Sequence, residues 1–194
     1  ILFGAPASVA LVYLAEPLIG TLFYQGEMTR HDVSMSGLSL AAYGAGLLGH
    51  MIVKVLAPGY FARLDTKTPV RYGIITLLTN IVLNLLLVSY FQHVGLALAT
   101  SIAAFLNAGL LYFGLRNQGV LKLTPGWMKF FAQVLFGIAI MCVYLYAVVP
   151  QLDDLLASPF FVRLLKMLML GGGGVIVYIG ALMVTGMNMR QLVR

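Results

Sequence analysis

Amides and hydroxyls, more than acids or thiols, are the polar side chains that this sequence repeats at a regular interval. Thr76, Asn80 and Asn84 recur every fourth residue within an apolar stretch, which places all three on one face of a helix. Thr100 and Asn107, seven apart, share a face of the next stretch, and only Gln92 and His93 join the two. Such a short link makes the two stretches antiparallel neighbours. Amides buried in hydrocarbon need partners. One reading is an interhelical hydrogen-bond ladder, at about 1 kcal/mol per bond. The other is a cation site, because neutral oxygens suit hard ions such as sodium. Glu16, beside Pro17, is either an interfacial carboxylate at a kink or a cavity acid, since ionisable residues inside membranes mark pathways.

The remaining reactive side chains carry less. His50 and Lys54 lie one turn apart, with no second ligand at metal spacing from the histidine. Lys54 is close enough to a membrane surface to snorkel. Asp153 and Asp154 stand without a second acidic cluster and read as a solvated loop. The single cysteine, Cys142, sits in apolar sequence and reads as a buried thiol. There is no Ser/His/Asp constellation, P-loop, CxxC or HExxH. No enzyme site is expected, and ATP hydrolysis by this stretch is excluded.

The elements that position these residues follow from composition. The chain is 61% hydrophobic and 9% charged, with a mean hydropathy of +0.96. Soluble domains carry roughly 25% charged residues, so an all-α polytopic membrane protein is expected. A bilayer core needs about 20 apolar residues per helix. Six segments qualify: Ile1–Tyr24, Met35–Ala57, Val70–Phe91, Val94–Leu115, Met128–Val149 and Leu164–Gly186. Backbone groups in lipid must be bonded within their own helix, so a helical bundle follows. In the second segment, Ala42/Gly46 and Ala45/Gly49 are small residues four apart and predict close helix packing. The start at Ile1, inside apolar sequence, is what a piece of a longer protein would show.

Between the second and third segments lies the densest run of charge and turn chemistry, Leu56–Arg71. Pro58 removes the donor for the Lys54 carbonyl, and Gly59 admits unusual backbone angles. Thr68 and Pro69 read as an N-cap and first helical residue. Arg63, Lys67 and Arg71 place the run at a membrane surface. It serves either as a plain charged hairpin or as a pivot for alternating access, in which helical bundles rock about a central site. If the first segment runs outward, nine basic residues face inward and three, Arg30, Arg163 and Lys166, face outward. Positive residues favour the cytoplasm, so the elbow and the C-terminus are expected there. The formal charge of +6 reflects this topology; no aromatic-basic patch suggests nucleic acid. Trp127 reads as an interface anchor. Gly171–Gly174 in the sixth segment leave a shallow trough, suited to close packing or to a groove.

The run Leu56–Arg71, with Val53-Lys54-Val55 before it, resembles the signature linker of the MurJ/MviN family of lipid II flippases, within the multidrug/oligosaccharidyl-lipid/polysaccharide exporter superfamily. Leu14–Leu18, Asn107–Tyr112 and Pro125–Met128 fit the same family. The aromatic pair Tyr60-Phe61 departs in order, since many members read Phe-Tyr. The resemblance implies six of about fourteen helices in a two-lobe exporter fold. Residues 1–115 would be the last four helices of the C-terminal lobe, 116–127 a cytoplasmic linker, and 128–194 two added helices forming a groove for a long lipid tail. It assigns Lys54, Pro58, Gly59, Asp65, Thr68 and Pro69 to the hinge linker. It assigns Gly171–Gly174, Tyr144 and Tyr178 to the tail groove. Some members are thought to hold sodium where Asn80, Asn84 and Thr100 stand, but Asn84 occupies a position where a carboxylate is expected. No other cofactor is implied. The implied partners are lipid II, membrane lipids and cell-wall synthesis proteins, in the bacterial cytoplasmic membrane. Other readings are export of another polyprenyl-linked saccharide or a drug, or a non-transporting scaffold for cell-wall enzymes. Because no deep lysine or arginine lies in these segments, a pyrophosphate headgroup would need cations from elsewhere in the protein.

Overall fold

Apolar stretches long enough to cross a bilayer become helices, and a computed structural model describes residues 2–24, 27–121 and 126–185. Ile1, Pro125 and Gly186, named above, lie outside the described residues, as do Lys122, Arg190 and Arg194, three of the nine basic residues expected to face inward. The helices are α1 (Gly4–Phe23), α2 (Arg30–Phe61), α3 (Lys67–Asn117), α4 (Trp127–Val148), α5 (Leu152–Leu156) and α6 (Phe160–Val184). No strand occurs among the described residues. Five helices are long and apolar enough to span a membrane, and one of them crosses twice. At 51 residues, α3 would measure about 77 Å if straight, far more than a bilayer core of about 30 Å. It is not straight. Gln92, with φ 50° and ψ −127°, breaks it. Beyond the break, Gly95 closes onto the Leu87 carbonyl. At the far end, a Cβ on Gly114 would lie 2.9 Å from the Tyr72 hydroxyl, although the two residues are 42 apart. The halves 67–91 and 93–117 therefore form an antiparallel hairpin, and the expected six crossings stand.

Glycines set the close approaches, and they do so on two faces of α2. Gly37 and Gly44 meet α1 at Glu16 and at Leu11 and Val12. Gly46 and Gly49 meet the second half of α3 at Ser101 and Ala104. At both contacts a buried serine donates to an α2 carbonyl: Ser8 to Gly44, and Ser101 to Ala42 at 2.6 Å. Ala42 is buried as the small-residue pairing predicts, but Ala45 is exposed. The first half of α3 has no buried residue, and one stripe alone is partly covered. Its outer faces carry Ile74, Leu77, Leu78, Ile81, Val82, Leu85 and Leu86. Helices α4 and α6 pack on each other and on α1 around Val134, Met141, Leu145, Tyr178 and Leu182.

Element boundaries differ from expectation at caps. Helix α2 begins at Arg30, not Met35, because Thr29 and Asp32 form a reciprocal capping box. Hydrogen bonding from Thr29, its hydroxyl first, holds the Asp32 carboxyl below the usual aspartate range. Helix α6 begins at Phe160, not Leu164, and the tetraglycine lies mid-helix. The loop around Asp153 contains the short α5, and Asp153 pairs with Arg30 at 2.7 Å. Both partners are more than 60% exposed, so the pair adds little stability. At 32 residues, α2 is about 48 Å long. The elbow that follows Phe61 is therefore at the opposite end of the bundle from Asp153.

Candidate functional site

The elbow is shorter than its sequence suggests. Helix α2 runs through both Pro58 and Gly59 to Phe61, so neither residue breaks it. Pro58 still leaves the Lys54 carbonyl without its helical donor, near an exposed helix end where water can replace it. Gly59 serves close approach, since a Cβ there would sit 3.2 Å from Leu115 Cδ1. The left-handed turn falls on Leu64, with φ 59°, which is 91% exposed. Sequence reasoning missed it because leucine carries no turn preference. The predicted start at Thr68 and Pro69 also shifts. Helix α3 starts at Lys67, and the Asp65 carboxylate accepts from the Thr68 N–H at 3.0 Å. Pro69 then falls third in the helix, within the first turn, where backbone donors have no helical acceptor.

Thr68, by its hydroxyl and then its N–H, lowers the Asp65 pKa below the ordinary 3.8. A depressed aspartate stabilises the fold above its unfolded pKa and loses that contribution as pH falls through the folded value. The Asp65→Asn variant is therefore expected to melt below wild type at neutral pH, and the gap is expected to close under acid. Melting curves across that range check this. Above the elbow, Tyr60 is fully buried and donates to the Leu111 carbonyl at 2.9 Å. Arg63 donates to the Gln118 side chain at 2.9 Å. The elbow is thus tied to the far end of the α3 hairpin.

The polar stripe comes together in part. Asn84 Nδ2 donates to Asn80 Oδ1 at 3.0 Å. Thr76 and Thr100 donate to carbonyls of their own helix, Tyr72 and Leu96. The two contacts that set the hairpin register put Thr100 level with Asn84, and Asn80 about one turn away. The Asn84 and Asn107 side-chain oxygens are buried without a donor, and a buried orphan acceptor calls for an explanation. A hard cation fits these oxygens in type. They carry no charge, and no group of three or more His, Cys, Asp or Glu stands among the described residues.

Around the tetraglycine, the roles divide. Gly173 abuts the Tyr144 ring, and Gly174 meets Leu145 and Met141. Gly173 lets α6 close on the Tyr144 ring of α4, whereas at Gly174 a Cβ would make ordinary contact. Gly171 and Gly172 have nothing within 4 Å. Gly171, Gly174 and Tyr178 line a cavity of about 100 Å³ shared with α1. Tyr178 is buried and donates to the Leu2 carbonyl at 2.7 Å, fixing α6 to the start of α1. Tyr144 lines a separate 250 Å³ pocket with Lys166. A larger apolar pocket, about 650 Å³, opens near the elbow end between α2, α3 and α4, walled by Ile52, Leu56, Tyr112, Trp127 and Phe131. Gly173→Leu is expected to overpack the α4–α6 contact, costing about 1–3 kcal/mol, whereas Gly172→Leu is not. Melting of the two variants side by side tests the division.

From the sequence, Arg163 counted only toward topology. Its guanidinium donates to the carbonyls of Leu156 and Ser158 at 2.7 Å and of Tyr24 at 3.2 Å, and stacks over the Tyr24 ring at 5.5 Å. It gathers α1, α5 and α6 at the end opposite the elbow. Glu16 is half-buried on α1 and lines a pocket against α2. His50 and Lys54 are exposed on α2.

Comparison with known proteins places this architecture. A family model described as "Lipid II flippase MurJ" matches residues 1–170. A probable lipid II flippase MurJ of Vibrio cholerae is 45% identical over 192 residues, covering 97% of this chain and 36% of that protein. One of Haemophilus influenzae is 39% identical over 191 residues, 98% of this chain and 37% of the relative. The lipid II flippase MurJ of Burkholderia cenocepacia is 42% identical over 133 residues, 69% of this chain and 26% of the relative. The chain thus spans a little over a third of the length of the first two relatives. With six apolar crossings and a family match over most of its length, this multi-pass membrane chain belongs to the MurJ lipid II flippase family.

Proposed function

We propose that the protein to which this chain belongs moves lipid II from the cytoplasmic to the outer leaflet of the bacterial inner membrane by alternating access. The observation that carries this reading is the family match across residues 1–170. In it, residues 1–115 end the C-terminal lobe of a fourteen-helix, two-lobe fold, 116–127 form a cytoplasmic linker, and 128–194 add two helices. The elbow end faces the cytoplasm, because it carries Lys54, Arg63, Lys67, Arg71, Arg116 and Lys129 while the other end carries Arg30, Arg163 and Lys166. In this reading the C-terminus is cytoplasmic. The protein acts as a transporter and not as an enzyme.

The parts divide the work as follows. Apolar surface on the first half of α3 provides a wall toward lipid or toward the rest of the protein. The α4–α6 trough around Gly171 and Gly172, and the 650 Å³ apolar pocket, offer room for a hydrocarbon tail. The pyrophosphate is held by cations outside this chain. Motion centres on residues 62–66, between the ends of α2 and α3, with Lys54, Pro58, Gly59, Asp65, Thr68 and Pro69 around them. Sodium, if bound, would be held by the oxygens of Asn80, Asn84 and Thr100, supplying positive charge between the two halves of α3. A ligand that binds only the folded state raises Tm. Sodium is expected to raise Tm slightly over potassium, and Asn84→Ala to abolish the difference. A flat titration assigns the stripe to hydrogen bonding alone.

Conditional depletion tests the transport reading. Lipid II is expected to accumulate on the cytoplasmic face while other lipid-linked saccharides still reach the outer face. Unchanged lipid II delivery, or loss of every export together, would contradict it.

A further inference from the structure

Glu16 is half-buried in the outer-end half of α1, about 10 Å from the end of the helix at Phe23. Gly37 lets α2 approach so closely that a Cβ there would lie 2.8 Å from the Glu16 Cα. The carboxylate has no ion pair among the described residues, where Arg30–Asp153 is the pair that forms. The Glu16 carboxylate thus stands at a pocket with no cationic partner among the described residues. That pocket measures about 260 Å³ and is assembled from three separate stretches, α1, α2 and the α4–α5 link. Apart from Glu16 and the Tyr13 ring, its walls are apolar, with Leu38, Ala41, Val149 and Leu152 facing in.

A carboxylate at membrane depth is costly unless it is paired. A bare metal ion would leave most of this volume empty and its apolar walls unused. The geometry points to Glu16 and its pocket as a binding site for a primary ammonium group carried on an apolar body. The ammonium donates to the Glu16 oxygens, and the Tyr13 ring, which also lines the pocket, offers a cation–π face. The apolar body lies along Leu38 and Val149. This inference does not depend on the transport reading.

The purified protein, titrated with hexylammonium chloride, tests the site. Saturable stabilisation is expected, weakened about tenfold or more in Glu16→Gln, which corresponds to loss of one charge-assisted bond. Hexanol, with the same body and no charge, is expected to have little effect. Ala41→Phe, which fills the pocket and keeps the acid, is expected to abolish binding as well. Equal binding by Glu16→Gln, equal binding of hexanol, or competition by sodium at the same concentration would overturn the assignment. Nanodiscs containing phosphatidylethanolamine or phosphatidylglycerol then separate the sources. Retention of the ethanolamine lipid by wild type and not by Glu16→Gln assigns a lipid headgroup. Hexylammonium binding without lipid retention assigns a free amine.

Discussion

Gly46→Ala is expected to be among the most damaging single-methyl changes in the chain, lowering unfolding free energy by about 3 kcal/mol. The added Cβ would lie 2.8 Å from both Cα and Cβ of Ser101. Because backbone blocks it, rotamer change cannot relieve the clash. Overpacking of this kind costs about 1–3 kcal/mol. Pushing the helices apart also lengthens the Ser101 bond to the Ala42 carbonyl, and losing a buried hydrogen bond costs about 1 kcal/mol more. Gly109→Ala is the control. Nothing lies within 4 Å of that position, and removing a helical glycine there is expected to stabilise by about 0.4–1 kcal/mol. Melting of both variants in the same detergent gives opposite signs if the close contact, not glycine itself, sets stability.

The second large effect is expected at Arg163. Arg163→Ala removes donors to the carbonyls at the ends of α1 and α5 and uncovers the Tyr24 ring. Charge-assisted bonds are worth about 1.5–3 kcal/mol each when buried. This site is partly open to water, and the bonds act as one unit, so a loss of about 2 kcal/mol in total is expected. Arg163→Lys is expected to recover less than half, since an ammonium lacks the planar fork that spans several carbonyls. Proteolysis at 149–160 reports the loss directly, because Arg163 ties the end of α5 to the end of α1 beside the packing of Leu152 and Leu156 on Gly20.

What could be read from the sequence was what depends on a long average. Six apolar stretches and a two-residue link at Gln92 gave the crossings and the hairpin, because hydrophobic length and short connections leave few alternatives. Spacing put Asn80 and Asn84 on one face, but their bond runs within one helix and not between helices as the ladder reading expected; Gly46 and Gly49 as contact points followed from size. Features set by one backbone contact were not legible. Leu64 takes the positive-φ turn because the carbonyl of Tyr60 accepts from both Arg63 and Asp65, and no residue preference announces that. Asp65, not Thr68, supplies the side-chain acceptor at the start of α3, because its carboxylate reaches the Thr68 N–H in the first turn. Tyr178 lies under α1 rather than in an open groove, since its hydroxyl finds the Leu2 carbonyl. Ser8, Ser101 and Arg163 bond to carbonyls far away in sequence, where no local spacing could reveal them.

Transfer of labelled lipid II across vesicles containing the purified protein tests the central claim most directly. The account predicts that the protein speeds movement of lipid II between leaflets, that Gly173→Leu slows it, and that a phospholipid bearing the same label does not move faster. Vesicles in which lipid II moves no faster than in protein-free controls, or in which every labelled lipid moves alike, would contradict it.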